Sequence, residues 1–430
     1  MTKNIVLFGA GKSASFLIKY LEKECSVNNW NLIVADNNLP LAQSKVGLLS
    51  NAIAIGIEVE NQEQRSNVIK EADLVISLLP PALHYLVASD CVLYGKNLLT
   101  ASYLDEKIMT LAPDIKSKGL LFLCEMGLDP GIDHMSAVKL IHEIKKLGGE
   151  IVSFKSHCGG LLAPESDDNP WHYKMSWNPR NVVMAGSSGA TFREENLTRH
   201  LAYEQLFHDC KEVAIPHLGQ LAYYPNRDSL MYMKLYDLEN TPTFLRTTLR
   251  YPVFCRGWNS IVNAGLTNDK DTIDTRELSF RKWSEPSLPF VDAGIKKQLA
   301  FLGLYDNQAI PDTLKTSADI LQYLLEKNLM MKPSDKDMVV MLHEIEYNLK
   351  NVLHKTTSLL LITGEDSVDT AMAKTVGLPL GIAARLILQE KILVTGLHIP
   401  VIPEIYAPVL QELKRQGVSF EEKDSVQFLR

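Results

Sequence analysis

The sequence predicts an α/β protein that begins with a doubly wound parallel sheet. Three observations carry this. Short apolar runs alternate with helical patterns from Asn4 to Cys124. A glycine turn, Gly9-Ala10-Gly11-Lys12-Ser13-Ala14, follows the first run and opens a helix. An aspartate, Asp36, ends the second run. Together these are the features of a Rossmann dinucleotide-binding unit.

The expected strands are Ile5–Phe8, Leu32–Ala35, Ala52–Ile57, Leu74–Leu78, Asn97–Thr100 and Leu120–Cys124. Each is almost continuously apolar, the pattern of strands covered on both faces. In the turn, Gly9 permits the tight bend, Gly11 lets a pyrophosphate approach the backbone, and Ala14 packs closely. The helix that follows offers free N–H groups and a partial positive charge to phosphates. Asp36 suits a ribose diol and repels an extra phosphate, and no arginine stands nearby. This favours NAD over NADP. The other reading of these residues is a glycine turn in an unrelated α/β protein.

Beyond Cys124 the character changes. Gly127-Leu128-Asp129-Pro130-Gly131 reads as a turn, and a helix is expected from about Asp133 to Lys146, stopped by Gly148-Gly149. Alternating strands are expected at Ile151–His157 and Phe244–Tyr251. The stretch from about Asp271 to Leu329 reads as mainly helical. Another strand is expected at Val352–Thr363, then a helix from Asp369 to Lys391 interrupted at Gly377-Leu378-Pro379. A last helix covers about Glu404–Gln416.

The 430 residues, 46% hydrophobic and 22% charged, suit two or three globular domains. A net charge of −7 without a basic run argues against nucleic acid or an acidic membrane as partner. No apolar stretch reaches the ~20 residues of a membrane helix, and no signal peptide is read at the N-terminus. Six scattered cysteines without a Cys-x-x-Cys pair fit a reduced, cytoplasmic setting. Neither His-Glu-x-x-His nor a Cys/His cluster is present, so no metal is expected.

Several segments resemble the glutamate-forming saccharopine dehydrogenases and reductases. They are Thr100-Ala101-Ser102-Tyr103, the run Gly127 to Met135, Cys158-Gly159-Gly160-Leu161 and Ala163-Pro164-Glu165. Tyr224 to Ser229, Lys336 to Met341 and Ala371 to Pro379 match too, in the family's order from end to end. The resemblance implies a Rossmann doubly wound parallel sheet with an α/β substrate and dimerisation domain and a small helical domain. Residues 1–127 with about 370–430 would form the first, about 128–270 and 330–369 the second, and about 271–329 the third. It implies a homodimer and a role in lysine metabolism. The activity implied is oxidation of saccharopine with water to glutamate and 2-aminoadipate 6-semialdehyde. By the same resemblance, Gly9, Ala10, Gly11, Lys12, Ser13, Asp36, Leu79 and Ala101 hold the cofactor. Ser102, Tyr103, Asp129, Arg227, Thr248, Leu249 and Arg250 meet the substrate. His157 and Leu162 depart from the family's usual Tyr and Pro, and Asn178 from a common Ser. With Asp36, the chain is similar to the members that use NAD in lysine breakdown. The alternatives are an NADP-linked reductase of lysine synthesis, a lysine or carboxypolyamine dehydrogenase, and a non-catalytic NAD-binding protein.

Without the family, strand alternation alone puts Arg246, Thr248 and Arg250 on one face and Leu245, Leu249 and Tyr251 on the other. Guanidiniums bind carboxylates bidentately, but a solvated sheet face gives the same pattern. Asp129 is either a helix cap or a group that binds an ammonium or moves a proton. Tyr103 is a second candidate for proton transfer. His134 and His157 are read as structural residues before bases.

Overall fold

The computed structural model describes residues 2–47, 51–288 and 290–427. The chain divides into two compact units, Met1–Glu143 with Ala371–Ser419, and Ile144–Thr370 with Phe420–Arg430.

In the first unit, the described residues include β1 (Asn4–Phe8), β2 (Asn31–Asp36), β3 (Ala52–Gly56), β4 (Leu74–Ser77), β5 (Asn97–Thr100) and β6 (Leu121–Leu123). A late three-residue strand, Gly396–His398 (β16), joins β6, and all pairings are parallel. The order β16-β6-β5-β4-β1-β2-β3 is doubly wound, and the winding reverses between β1 and β4. Ile5 to Phe8 and Leu74 to Ile76 are wholly buried, which is why these runs are apolar throughout. β16 is too short to show as an apolar run.

The helix Ala14–Asn28 buries Ala14, Leu17, Ile18, Leu21 and Cys25, the stripe of a one-faced helix. It packs on the helix Ala371–Leu388, which runs unbroken through Gly377-Leu378-Pro379, contrary to the expected interruption. The loss of one hydrogen bond at Pro379 is offset by close packing. A Cβ added at Gly377 would lie 3.0 Å from Leu17, and one at Gly381 would lie 2.5 Å from the Tyr20 ring. This helix is 18 residues long and apolar enough to cross a membrane, but most of it is buried inside the unit.

The second unit is built on a mixed sheet. Its strands are β7 (Glu150–Leu162), β8 (Ala190–Glu194), β9 (Leu197–Leu201), β10 (Lys211–Ile215), β11 (Gly219–Pro225), β12 (Arg227–Asp228), β13 (Thr243–Arg250), β14 (Asp337–Leu349), β15 (Val352–Thr363) and β17 (Glu421–Gln427). The main path runs β10-β11-β13-β7-β14-β15-β17, with β8, β9 and β12 to one side. One face carries Leu161, Leu245, Leu249, Val340, Leu342 and Leu359 in a single apolar cluster with Phe192 and Tyr223. Phe154 and Phe244 lie on the other face and pack with Tyr236. The helical stretch beyond residue 271 buries Phe280, Leu299, Leu321 and Leu325 in one cluster with Trp171, Phe254 and Trp258.

His157 lies 1% exposed on the apolar face. Its Nδ1 is 2.7 Å from Thr247 Oγ1 and its Nε2 is 3.2 Å from Glu344 Oε2, and Glu344 also takes a bond from Lys355. Burial pushes the imidazole below the usual histidine range. The His157 bond, against the effect of burial, holds Glu344 down to about 2. An unfolded chain takes up a proton on this histidine below its ordinary pKa, and the folded chain resists. Stability is therefore complete above about pH 6.5 and falls with pH below it. Between pH 7 and pH 5, where Glu344 stays ionised, His157 accounts for at most about 2 kcal/mol of that loss. Urea titrations at the two pH values check this. His157→Gln, which keeps both bonds but does not titrate, should show a smaller drop than the wild type.

Candidate active site

The glycine turn sits where the sheet's winding reverses. Gly9 follows β1 with φ of +101°, and a Cβ there would come 2.8 Å from the Leu78 carbonyl oxygen at the end of β4. Only glycine fits such a φ at that approach. At Gly11 the Cβ direction is open, with nothing within 4 Å. The helix Ala14–Asn28 then starts with no side-chain cap from Ser13 and no acid in its first turn. Its leading N–H groups suit a phosphate. This cradle fits a dinucleotide, with Gly9, Ala10, Gly11, Lys12 and Ser13 as the groups that would hold it.

Asp36 is half-buried at the end of β2 and already occupied. Its Oδ2 accepts the Ala10 N–H at 2.7 Å and its Oδ1 accepts the Asn38 N–H at 2.8 Å. The carboxylate holds the turn in shape. Lys45 donates to the Gly11 carbonyl, and burial brings its pKa down to about 8 against the pull of Asp36. The turn thus carries cations, Lys45 and the exposed Lys12, that a search for arginine overlooks.

Next to the turn, the ends of β4 and β5 bring Ser77, Leu79, Ala101 and Ser102 to the carboxyl edge of the sheet. Leu79, Ala101 and Ser102 are half-buried. Between the two strand ends lies His84, 2% exposed, in the first turn of the helix Pro81–Tyr94. Its Nδ1 is 2.8 Å from Ser77 Oγ and its Nε2 is 2.7 Å from Ser102 Oγ. Burial pushes its pKa down to about 4. Sequence reasoning missed it; the signal was a histidine three residues into a Pro-started helix, close to two strand-end serines.

The segment after β5 is fastened to Glu125 and Met126. Glu125 N–H donates to the Ser102 carbonyl at 3.1 Å, Met126 N–H to Thr100 at 3.0 Å, and Leu104 N–H to Glu125 Oε1 at 3.0 Å. Glu125 Oε2 lies 2.7 Å from Nε2 of His134, which is fully buried and buttresses the turn. Gly127 N–H donates to Pro130, and Gly131, with φ of +146°, closes the turn so tightly that a Cβ would overlap the Gly127 carbonyl oxygen. The half-buried Asp129 projects from this turn, and Tyr103 Oη donates to its Oδ1 at 3.1 Å. The two candidates for proton transfer are thus hydrogen-bonded to each other.

In the second unit, Arg227 is exposed with φ of +52°. The alternation along β13 holds: Leu245 and Leu249 lie in the apolar cluster and the arginines on the opposite face. That face is not a solvated one. Arg246 is 2% exposed over the Tyr232 ring at 4.4 Å. Arg250 is 4% exposed, 5.5 Å from the Tyr173 ring centre and 5.6 Å from that of Phe254. Its Nη1 donates to the Leu249 carbonyl at 2.7 Å, and its buried Nε has no partner among the described residues. Thr248, half-buried, pairs with Cys158 and Tyr224 across the strands.

Comparison with known proteins covers both units. Residues 5–123 match the saccharopine dehydrogenase NADP binding domain, and residues 127–418 match the saccharopine dehydrogenase C-terminal domain. The chain is 32% identical to a saccharopine dehydrogenase (NADP(+), L-glutamate-forming) of Saccharomyces cerevisiae, over 98% of this chain and 99% of that one. It is 30% identical to the protein of that name from Schizosaccharomyces pombe, over 98% of each. It is 34% identical to an alpha-aminoadipic semialdehyde synthase of Arabidopsis thaliana, but spans only 40% of that protein's length. The structure of apo saccharopine dehydrogenase (L-Glu forming) from Saccharomyces cerevisiae superposes with a TM-score of 0.88 at 30% identity, covering 98% of this chain and all of that one. These findings overturn the preference for NAD: the matching domain is an NADP binding domain, and both yeast relatives are named for NADP(+). A carboxylate free to meet the ribose would favour NAD, whereas both oxygens of Asp36 accept backbone N–H groups. With both domains matched in order along its length, the chain belongs to the saccharopine dehydrogenase family.

Proposed function

We propose that this protein uses NADP(H) to interconvert saccharopine and water with L-glutamate and 2-aminoadipate 6-semialdehyde, a step of lysine metabolism. One observation carries the reading. Within a single unit, a dinucleotide cradle and a hydrogen-bonded Tyr103–Asp129 pair lie at the carboxyl edge of one parallel sheet. The likeness to two NADP(+)-named, L-glutamate-forming enzymes over nearly their full lengths supports it.

When bound, the nicotinamide exchanges a hydride with the carbon beside the substrate's secondary amine. The residues of the chain supply everything else. Gly9 to Ser13 seat the pyrophosphate. Asp129 takes a proton from the attacking water, and Tyr103 holds the carboxylate oriented for that transfer. In the second unit, Arg250 holds a buried guanidinium whose Nε, without a partner among the described residues, suits a carboxylate, where a charge-assisted bond is strong. A substrate with three carboxylates accounts for the retention of such a group in an apolar setting.

Three outcomes test this. Purified protein given saccharopine and NADP(+) should produce NADPH absorbance, and absence of turnover would remove the proposal. Asp129→Asn keeps the shape of the turn but not the base, so kcat should fall by about 10² to 10⁴ with NADPH affinity unchanged by fluorescence titration. Arg250→Lys retains charge but loses the planar fork, and should raise KM for saccharopine by roughly tenfold or more with little change in Tm. An unaltered KM would point instead to a smaller amine substrate with fewer carboxylates.

A further inference from the structure

The bridge made by His84 has a consequence for what Ser102 can bind. A hydroxyl carries one donor hydrogen and two acceptor lone pairs, and an uncharged imidazole has one N–H and one bare nitrogen. Two arrangements therefore satisfy the 2.8 Å and 2.7 Å contacts. If Nδ1 carries the hydrogen, Ser77 accepts it. The Ser77 O–H is then left without an acceptor, because His84 is its only side-chain partner among the described residues and Ser77 is 0% exposed. An orphaned buried donor of this kind is costly. If Nε2 carries the hydrogen, Ser77 donates to Nδ1 and Nε2–H donates to Ser102. Only lone pairs on Ser77 then go unused, which costs far less. The depressed pKa of His84 is consistent with an uncharged ring in both arrangements.

The favoured arrangement determines the chemistry of Ser102. Its oxygen is engaged as an acceptor by the imidazole, and its backbone is fixed by the bonds to Thr100 and Glu125. Its own O–H has no acceptor among the described residues. It is half-buried at the end of β5, beside the end of β4 and on the same edge of the sheet as the glycine turn.

We propose that His84 is a positioning residue which, protonated on Nε2 alone, sets Ser102 as a hydrogen-bond donor toward a carboxylate or carbonyl oxygen of the bound substrate. The proposal deepens the reading of the protein as a saccharopine dehydrogenase and rests on it for the identity of that substrate. The imidazole acts through the serine and does not touch the substrate itself.

Two measurements decide. The first is the ¹⁵N spectrum of histidine-labelled full-length protein, with the His84 signals assigned by their loss in His84→Gln. The expected result is hydrogen on Nε2 at neutral pH. Hydrogen on Nδ1 overturns the proposal, and this readout does not depend on turnover of any substrate. The second is steady-state kinetics with saccharopine. Ser102→Ala and His84→Phe should each raise KM by about ten- to a hundredfold, with NADPH affinity retained. The double variant should be no worse than Ser102→Ala, because both changes remove one interaction. His84→Gln, whose amide can donate to Ser102 and accept from Ser77, should recover KM to within about threefold of wild type. Multiplying effects in the double variant, or a full loss in His84→Gln with an unchanged Tm, overturn the positioning role. If the wild type turns over no saccharopine, the functional reading fails, and the ¹⁵N result alone decides the hydrogen-bond arrangement.

Discussion

The geometry of the first unit's site depends on one buried carboxylate. Glu125 stands at φ of +57°, a conformation that a non-glycine residue adopts only when its surroundings hold it there. Three hydrogen bonds do so. Its N–H reaches the Ser102 carbonyl, Oε1 takes the Leu104 N–H, and Oε2 meets the buried His134. The segment carrying Ser102 and Tyr103 and the turn carrying Asp129 are thereby bound into one rigid piece. Together with the Met126 N–H bond to the Thr100 carbonyl, that link supports the 3.1 Å contact between Tyr103 and Asp129. The proton-transfer role proposed for Asp129 needs a fixed geometry, and the fixing group is Glu125, itself only 1% exposed.

Asp36 follows the same logic from the opposite direction. Its place at the end of β2 suggests a group that meets the cofactor and sets its preference. In the fold its oxygens accept the Ala10 and Asn38 N–H groups, so its first effect is on the shape of the phosphate cradle. A carboxylate at a strand end has the choice of ligand or backbone, and sequence spacing does not discriminate between them. The wider point concerns charge at a turn. The field at such a turn is the sum of every nearby charge, here including Lys12 and Lys45, and not that of one residue.

What was legible in the sequence follows from how local each signal is. The parallel sheet was readable because strand residues buried on both faces are mostly apolar, as Ile5–Phe8 of β1 and Leu74–Ile76 of β4 are. The alternation in β13 was readable because the side-chain period is two. The β14 strand was not, since Met338 to Met341 is continuously apolar and reads equally as core of any kind. The small strands between Ala190 and Asp228 carry exposed or mixed residues and give no clean period. Burial of Arg246 and Arg250 also lay beyond sequence reasoning, because the rings that cover them, Tyr232, Tyr173 and Phe254, lie on other elements. His84 was hidden for the same reason: its meaning lies in two serines on neighbouring strands.

Arg250 shows what such distant contacts must offset. Removing a guanidinium from water without a carboxylate partner costs several kcal/mol. The flanking rings of Tyr173 and Phe254 return roughly 0.5 to 2 kcal/mol each, and the bond to its own chain at Leu249 a similar amount. These terms fall short of what a carboxylate partner would contribute. A stability-optimised core would replace the side chain with an apolar one of like volume, as the surrounding cluster of Trp171, Trp258 and Phe254 would allow. The charge is retained with one N–H that has no partner among the described residues, as the substrate role proposed for Arg250 would require. Since its setting is dry and rigid, an arriving anion would meet a donor already oriented and already stripped of water. On the proposed reading, part of the free energy given up in folding would be recovered when that carboxylate binds.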